Sequence, residues 1–348
     1  MKYKVVKYDK IGNSKWDAFV DQSDEAWFWH KLDFFDAWPY GENCSFCIVD
    51  EKNEIVLIQM LLIERREKKK CIRVKRFHGI PYIGKYMWGG SSLSSIGGLA
   101  RKNGLTIKEE RNISRVYMEY MDNLILEESV SDFNYSIQAT LSKRYFPSVC
   151  PLVNPLIFFG YQNSMKQSYI IDMSADLEDI FRGYSQTTRN LIYRCQRDEK
   201  IRIVEAQPIE NDLNIYYNLH VETYSRTGVT PHPKAYFEHI FFEILKKGYC
   251  HILFCYREER PIAAHNILIY KDSAMYWTGC SASDKGDGES RLLMHEQIIY
   301  AKDKGAQYFE VGEAFPNIRY GKLKGLNDFK KSFGGQLHPI FSGAYLIQ

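Results

Sequence analysis

Between Ala274 and Val311 the chain runs through a strand, a glycine-bearing loop, a helix and a second strand, and this unit limits the fold more than any other stretch. The run Ala274-Met275-Tyr276-Trp277-Thr278-Gly279-Cys280 has the aromatic and β-branched content of a buried strand. A loop from Ser281 to Gly288 follows and holds Gly286 and Gly288. In the next segment Leu292 with Ile299 and Leu293 with Tyr300 repeat at a helical spacing of seven. Gly305 ends that helix, because glycine takes the left-handed C′ conformation without steric cost. Gln307–Val311 then closes the unit as a strand. Such an order places unpaired backbone N–H groups at a helix start, which suits a phosphate or pyrophosphate.

The chain has 348 residues, more than one core needs and enough for two domains. Hydrophobic residues make up 45% and charged residues 26%, the balance of a soluble globular protein. No apolar run reaches about 18 residues and no charged-then-apolar leader opens the chain, so the expectation is a cytoplasmic protein without membrane insertion. The eight cysteines are scattered through apolar runs, as reduced thiols used for packing are. Cys44-x-x-Cys47 lacks a second pair or a histidine cluster, so no metal is expected. The net charge of +3 is not gathered into one tract and gives no argument for DNA binding.

In chain order, Lys15 to Trp38 reads as two short helices around Trp16, Phe19, Trp27, Phe28, Trp29, Phe34, Phe35 and Trp38, stopped by Pro39. This is either core packing or a cluster in which Trp29, His30 and Trp38 face a cleft and stack on a sugar or base. Strands are expected at Ser45–Asp50, Glu54–Ile63 and Cys71–His78, with Glu67–Lys70 as a charged hairpin tip. Gly79–Gly98 reads as a long loop with Tyr86 and Trp88, either lining an acceptor site or simply mobile. Glu109–Glu128 is a helix, Tyr135–Leu141 a strand, and 142–167, with Pro147, Pro151 and Pro155, a crossover. The second half repeats the layout: the strand Tyr169–Met173, a helix from Ser174 to Tyr184, another from Thr187, and the strand Ile201–Ala206. Helices Asn211–Tyr224 and Lys234–Lys247 and strands His251–Arg257 and Ile262–Tyr270 then lead into the unit described above. The same order twice is what a duplicated α/β fold produces.

The run Tyr276 to Ser281, then Gly288, Leu292-Leu293-x-x-Glu296, Ala301-x-x-x-Gly305 and Tyr308-Phe309-x-x-Gly312, resembles the acyl-donor half of GNAT-superfamily acyltransferases. Thr188-Arg189-Asn190-x-x-x-Arg194 and Phe329-Lys330-x-x-Phe333-Gly334-Gly335 extend the resemblance to the tandem-GNAT branch that holds the Fem-type peptidoglycan-bridge aminoacyltransferases. It covers Tyr169 to Gly335. It implies an α/β fold with α+β layering, in which two GNAT-like domains with mixed central sheets flanked by helices face each other across a cleft. Residues 1–165 would form the acceptor side, 166–335 the donor side, and 336–348 a strand returning to the first domain. No long polar helical pair is inserted, so the coiled-coil arm of some Fem-type enzymes is missing.

Acyl transfer to an amine needs a donor held in place, a neutral amine and stabilisation of an oxyanion. The resemblance implies an acyl-CoA whose acyl and pantetheine part lies on the backbone of Thr278, Gly279, Cys280 and Ser281, exposed there by a bulge or splay. Its pyrophosphate would rest on Gly286, Gly288 and Ser290, with Arg291 either a charge partner or an exposed helix-start arginine. Arg189 and Arg194, five apart, point in different directions, and the family pattern favours Arg189 for the acceptor's diphosphate. Lys330 is either the oxyanion residue, by resemblance, or a surface lysine. The proton would go to Glu313, to His265 or to water. Three readings follow. The first is an N-acyltransferase moving an acyl group from acyl-CoA to a nucleotide-linked amino sugar, similar to the GNAT-type enzymes acting on dTDP-3-amino-3,6-dideoxyhexoses for bacterial surface polysaccharide. The second is a Fem-type enzyme using aminoacyl-tRNA and a peptidoglycan precursor, and the third is a non-catalytic tandem-GNAT binding module.

Overall fold

Strand pairing in this chain is dominated by one continuous twisted sheet that crosses from the C-terminal half into the N-terminal half. The computed structural model describes residues 2–65, 69–77, 80–88, 90–139, 153–316 and 318–346, with the backbone alone for 69–77, 80–88, 36, 37 and 227. The first half contains β1 (Lys4–Lys7), α1 (Asn13–Gln22), α2 (Leu32–Ala37), β2 (Glu42–Asn43), β3 (Phe46–Val49), β4 (Ile55–Gln59) and β5 (Leu62–Glu64). It continues with β6 (Lys69–Phe77), β7 (Ile80–Trp88), β8 (Ser91–Ile96), β9 (Leu99–Arg101), α3 (Ile107–Glu127) and β10 (Val130–Ile137). After a short 3₁₀ turn at Pro155–Phe159 come β11 (Gln162–Asn163), β12 (Lys166–Asp172), α4 (Leu177–Arg182), α5 (Gln186–Gln196), β13 (Ile201–Glu205), α6 (Glu210–Thr227) and α7 (Lys234–His239). The chain ends with β14 (Cys250–Arg257), β15 (Arg260–Tyr270), β16 (Ser273–Ser281), α8 (Glu289–Asp303), β17 (Tyr308–Ala314), α9 (Gly321–Lys331) and β18 (Gln336–Leu346).

The large sheet runs β13-β14-β15-β16-β17-β12-β18-β10-β8-β5-β2, while β1-β3-β4-β9 and the hairpin β6-β7 stand apart. β18 is the join. Its first part, Gln336–Ile340, pairs antiparallel with β12, and its second part, Phe341–Leu346, with β10. Gly334 and Gly335, at φ 76° and 81°, turn the chain into this strand, and only glycine holds two successive positive-φ positions cheaply. Each half carries a parallel strand pair bridged by a helix: β8 and β10 across α3, β16 and β17 across α8. The architecture is mixed α/β, with a large mixed sheet flanked by helices in both halves.

Three clusters make up most of the core. One, under α3, gathers Phe46, Ile48, Val56, Leu93, Ile113, Met121 and Phe133. Another lies between α8 and the β12–β16–β17 region and includes Ile171, Ile267, Leu292, Ile298, Phe309 and Phe333. The largest joins the two halves: Trp16, Trp27, Phe28 and Phe34 pack against Tyr216, Phe237, Phe241 and Phe254. Polar contacts tie the same segment down, since Trp27 Nε1 donates to the Tyr270 carbonyl at 3.0 Å and buried Lys31 meets Asp21 at 2.7 Å.

Several expectations change. The segment 79–98 is not a loop but contains β7, β8 and the approach to β9, because ladder pairing outweighs the weak strand propensity of its serines and glycines. Of the expected tip Glu67–Lys70, Lys69 and Lys70 belong to β6, which pairs with β7, and Glu67 and Lys68 lie outside the described residues. α4 starts at Leu177 and not at Ser174, because the Asp176 carboxylate is the cap and accepts the Asp179 N–H at 2.8 Å. The expected helix Lys234–Lys247 is α7 followed by a π-helical turn, Ile240–Leu245. Of the crossover 142–167, residues 142–152 lie outside the described residues, and the rest holds the 3₁₀ turn and β11.

Candidate active site

β16 is held on one edge and released on the other. Along β15 its register shifts between Asn266, opposite Thr278, and Ile267, opposite Tyr276, which leaves Trp277 as a bulge. A bulge bends the strand and increases its twist. Along β17 the parallel pairing ends at Met275 and Glu310. β17 has its own irregularity opposite β12, with Gly312 at φ 116°. The two strands therefore part, and the main chain of residues 276–281 faces the gap without a partner strand.

Around that arm the side chains are well fastened. The Thr278 hydroxyl lies 2.6 Å from Tyr216 Oη. Cys280 is buried with its sulfur 3.7 Å from the Tyr216 carbonyl, and burial pushes its thiol pKa up. The Ser281 N–H donates to Thr223 Oγ1 at 2.8 Å, and its carbonyl accepts from Arg226 Nη2 at 2.9 Å. Gly279 lies directly under the Tyr276 hydroxyl, which a Cβ would strike. Opposite it His265, 2% exposed, packs on Tyr276 and Phe329 with ring centroids at 4.9 and 6.4 Å. Burial, helped by the nearby Lys285 charge, pushes this histidine down to about 3, so it stays neutral, and Nδ1 has no hydrogen-bond partner. It is a core residue in this arrangement.

Glu313 lies on the other arm, near the end of β17, and Lys166 Nζ reaches its carboxylate at 3.2 Å. The pair lines a cavity of about 230 Å³ where β18 passes from β12 to β10, with Ser94, Ser95, Asn134, Ser136, Gln138, Ser164 and Ser342 as its other polar walls. Lys330 supports this end from α9: Nζ donates to the Glu313 carbonyl at 2.7 Å and lies 5.6 Å from the Phe315 ring centroid. Burial pushes the Lys330 pKa down, while Glu313 and Glu310 pull it up. A Cβ on Gly312 would lie 3.2 Å from that ammonium.

At the start of α8 the Gly286 N–H donates to Glu289 Oε1 at 3.1 Å. Gly288 is buried, and Ser290 is partly buried. Arg291 is committed within the fold. Its Nη1 donates to the Asp287 carbonyl at 2.6 Å, its Nε to Thr188 Oγ1 at 3.2 Å, and its guanidinium lies over Phe329. Arg189 places Nη1 on the carbonyls of Arg182 and Tyr184, closing the end of α4, while Arg194 is exposed further along α5. Trp29 and His30 are buried in the aromatic core, and Trp38 packs between Phe34 and Tyr236. None of these three reaches the Glu313 cavity. The side chains of Tyr86 and Trp88 lie outside the described residues.

The sequence reading missed the serine-lined wall, Lys166, Tyr216 and Glu289. The run Ser91-Ser92-Leu93-Ser94-Ser95 held a signal, because hydroxyls in a strand next to a long helix need a polar surface to face. Among the described residues no group of His, Cys, Asp or Glu could hold a metal ion, and no helix is long and apolar enough to cross a membrane.

Residues 182–331 match the family described as acetyltransferase (GNAT) domain. Over the whole chain the fold is similar to the structure of FemX, at 11% identity and a TM-score of 0.67, covering 100% of this chain and 98% of that one. It is similar to L-PGS from Bacillus licheniformis at 13% identity and a TM-score of 0.57, covering 96% and 92%. It is also similar to a tandem GNAT protein from the clavulanic acid biosynthesis pathway at 9% identity and a TM-score of 0.54, covering 100% of both. No curated protein matches the sequence. The match to an acetyltransferase (GNAT) domain thus lies within the second half, and the fold of the whole chain is similar to that of tandem GNAT proteins.

Proposed function

We propose that this acyltransferase forms an amide on the amine of a nucleotide-linked amino sugar used for bacterial surface polysaccharide, with the sugar in the serine-lined cavity. The observation that carries the reading is the cavity wall, where hydroxyl and amide groups surround a single carboxylate–ammonium pair. Such a lining matches the alternating donors and acceptors of a sugar, and Glu313 offers its carboxylate to the amine. The acyl carbonyl enters along residues 276–280, on the edge of β16 that β17 leaves uncovered, where main-chain N–H groups turned away from β15 meet the oxyanion. The nitrogen bonds to the carbonyl carbon, a proton leaves it for Glu313 directly or through water, and the carrier departs with its sulfur or oxygen, taking up a proton. Lys330 acts as a positioning residue through its bond to the Glu313 carbonyl. Acyl-CoA is the donor in this reading.

A second reading keeps the chemistry, with aminoacyl-tRNA as donor and a peptidoglycan precursor as acceptor. What favours it is the Glu289 carboxylate at the start of α8, where the diphosphate of CoA would otherwise rest. Mass analysis of products from acyl-CoA panels with dTDP-linked amino sugars, run beside charged tRNA with a muropeptide nucleotide, tests both. The first reading expects acylated sugar from acyl-CoA alone; transfer only from charged tRNA would replace it with the second.

A further inference from the structure

The first turn of α8 already holds an anion that belongs to the chain itself. Glu289 is 1% exposed, and its Oε1 accepts both the Gly286 N–H, at 3.1 Å, and Arg257 Nη2. Both carboxylate oxygens crowd Gly286, where a Cβ would lie 2.9 Å from each. Oε2 is buried against Gly286 without a hydrogen-bond partner, so the carboxylate, paired with Arg257 through Oε1, fills the space an entering anion needs. The loop cannot sink to make room, since Gly288 lies against Cys195 and the Leu191 carbonyl. Without the carboxylate the same turn would attract anions: Arg257 is there, Lys285 reaches the Gly286 carbonyl at 3.1 Å, and the helix start carries positive dipole charge.

We propose that Glu289 is a specificity residue that occupies the anion position of α8 and excludes a diphosphate from it. The acyl carrier is then selected by its acyl group and the arm next to it, and a carrier without a diphosphate serves as well as CoA. The inference rests on the reading that the acyl group enters along β16.

Calorimetric titration of inorganic pyrophosphate into the full-length protein and its E289Q variant tests the exclusion directly. Glutamine keeps an acceptor for the Gly286 N–H and removes the charge; E289A is the second variant, should the glutamine fail to fold. The expected result is no binding to the unmodified protein at millimolar pyrophosphate and at least about tenfold tighter binding to a variant. In parallel, the kcat/KM of acyl-CoA relative to acyl-pantetheine should be near one for the unmodified protein and rise about tenfold in the variant. Equal pyrophosphate binding by all forms, or strong preference of the unmodified protein for CoA over pantetheine, overturns the proposal. If no thioester supports turnover, the acyl-CoA reading fails, and the pyrophosphate titration still decides the role of Glu289.

Discussion

β8 and β10 in the first half, and β16 and β17 in the second, are the same device in two states. The first pair stays zipped from Ser91 to Ile96, whereas the second parts after Ser273, Ala274 and Met275. Their bridging helices also start differently. α3 has a complete capping box, with Thr106 and Glu109 exchanging hydrogen bonds, while α8 begins at Gly288 without a side-chain cap and borrows Glu289. One copy is closed and structural, and its strands supply the wall of the cavity. The other is open, and opening it takes a bulge at Trp277 and a positive-φ glycine at 312. Duplication thus lets one half keep the gap while the other forms the surface facing it.

The comparison can be strained most by acid. Burial depresses His220, His251 and His295 to about 4 and His265 to about 3, all in the second half. Their unfolded value is near 6.5, so the unfolded chain binds more protons below that pH. Their contribution is fully present above 6.5 and is lost as pH falls toward 4. Unfolding at pH 5 should take up roughly two to four protons, measurable by calorimetry in buffers of different ionisation enthalpy. Hydrogen exchange should show β14–β17 opening before β8 and β10; uniform opening would remove the contrast.

Chemistry provides the next test. Glu313→Gln should lower turnover by about 10²-fold, the scale of a lost general base, with acceptor binding nearly kept. His265→Asn is the control and should leave the pH–rate profile in place, because the ring is buried and neutral. A glutamine variant with full turnover would move the proton elsewhere.

Closing the open copy should cost less. Gly312→Ala puts a Cβ at φ 116° and against Lys330, a strain of about 1–3 kcal/mol, read as a lowered thermal midpoint together with a loss of turnover. Lys31→Ala, which leaves Asp21 and Asp17 facing an empty site, should destabilise by about 1–3 kcal/mol, toward the lower end because Asp21 is half exposed. If turnover falls no further than stability, the N-terminal segment is a brace alone. The smallest effect is expected from Ser94→Ala, roughly 0.5–1.5 kcal/mol for one hydrogen bond, seen as a several-fold rise in the acceptor KM.

Much of the second half was legible in the residues. The strand, loop, helix and strand read from Ala274 to Val311 are β16, α8 and β17, with Gly305 at φ 84° just past the helix cap. Apolar period, glycine position and aromatic content are local properties, and each reports on the few residues around it. The strand at Ser91–Ile96 escaped because serine has little strand propensity of its own, and only pairing with β5 and β10 makes it a ladder. Nor could local pattern show that Trp27 would donate to the Tyr270 carbonyl, 243 residues away.

By itself, then, the sequence determined most of the helices and strands of the second half, their order, and the strand–loop–helix–strand unit from Ala274 to Val311. Tertiary structure alone decided that β16 parts from β17 while β8 stays with β10. It also decided that Glu313 meets a wall of serines from the other half, and that Glu289 turns back onto Gly286. The reason is physical: periodicity records which face of an element is apolar, but register, splay and the partner of a charge follow from packing between residues far apart in the chain.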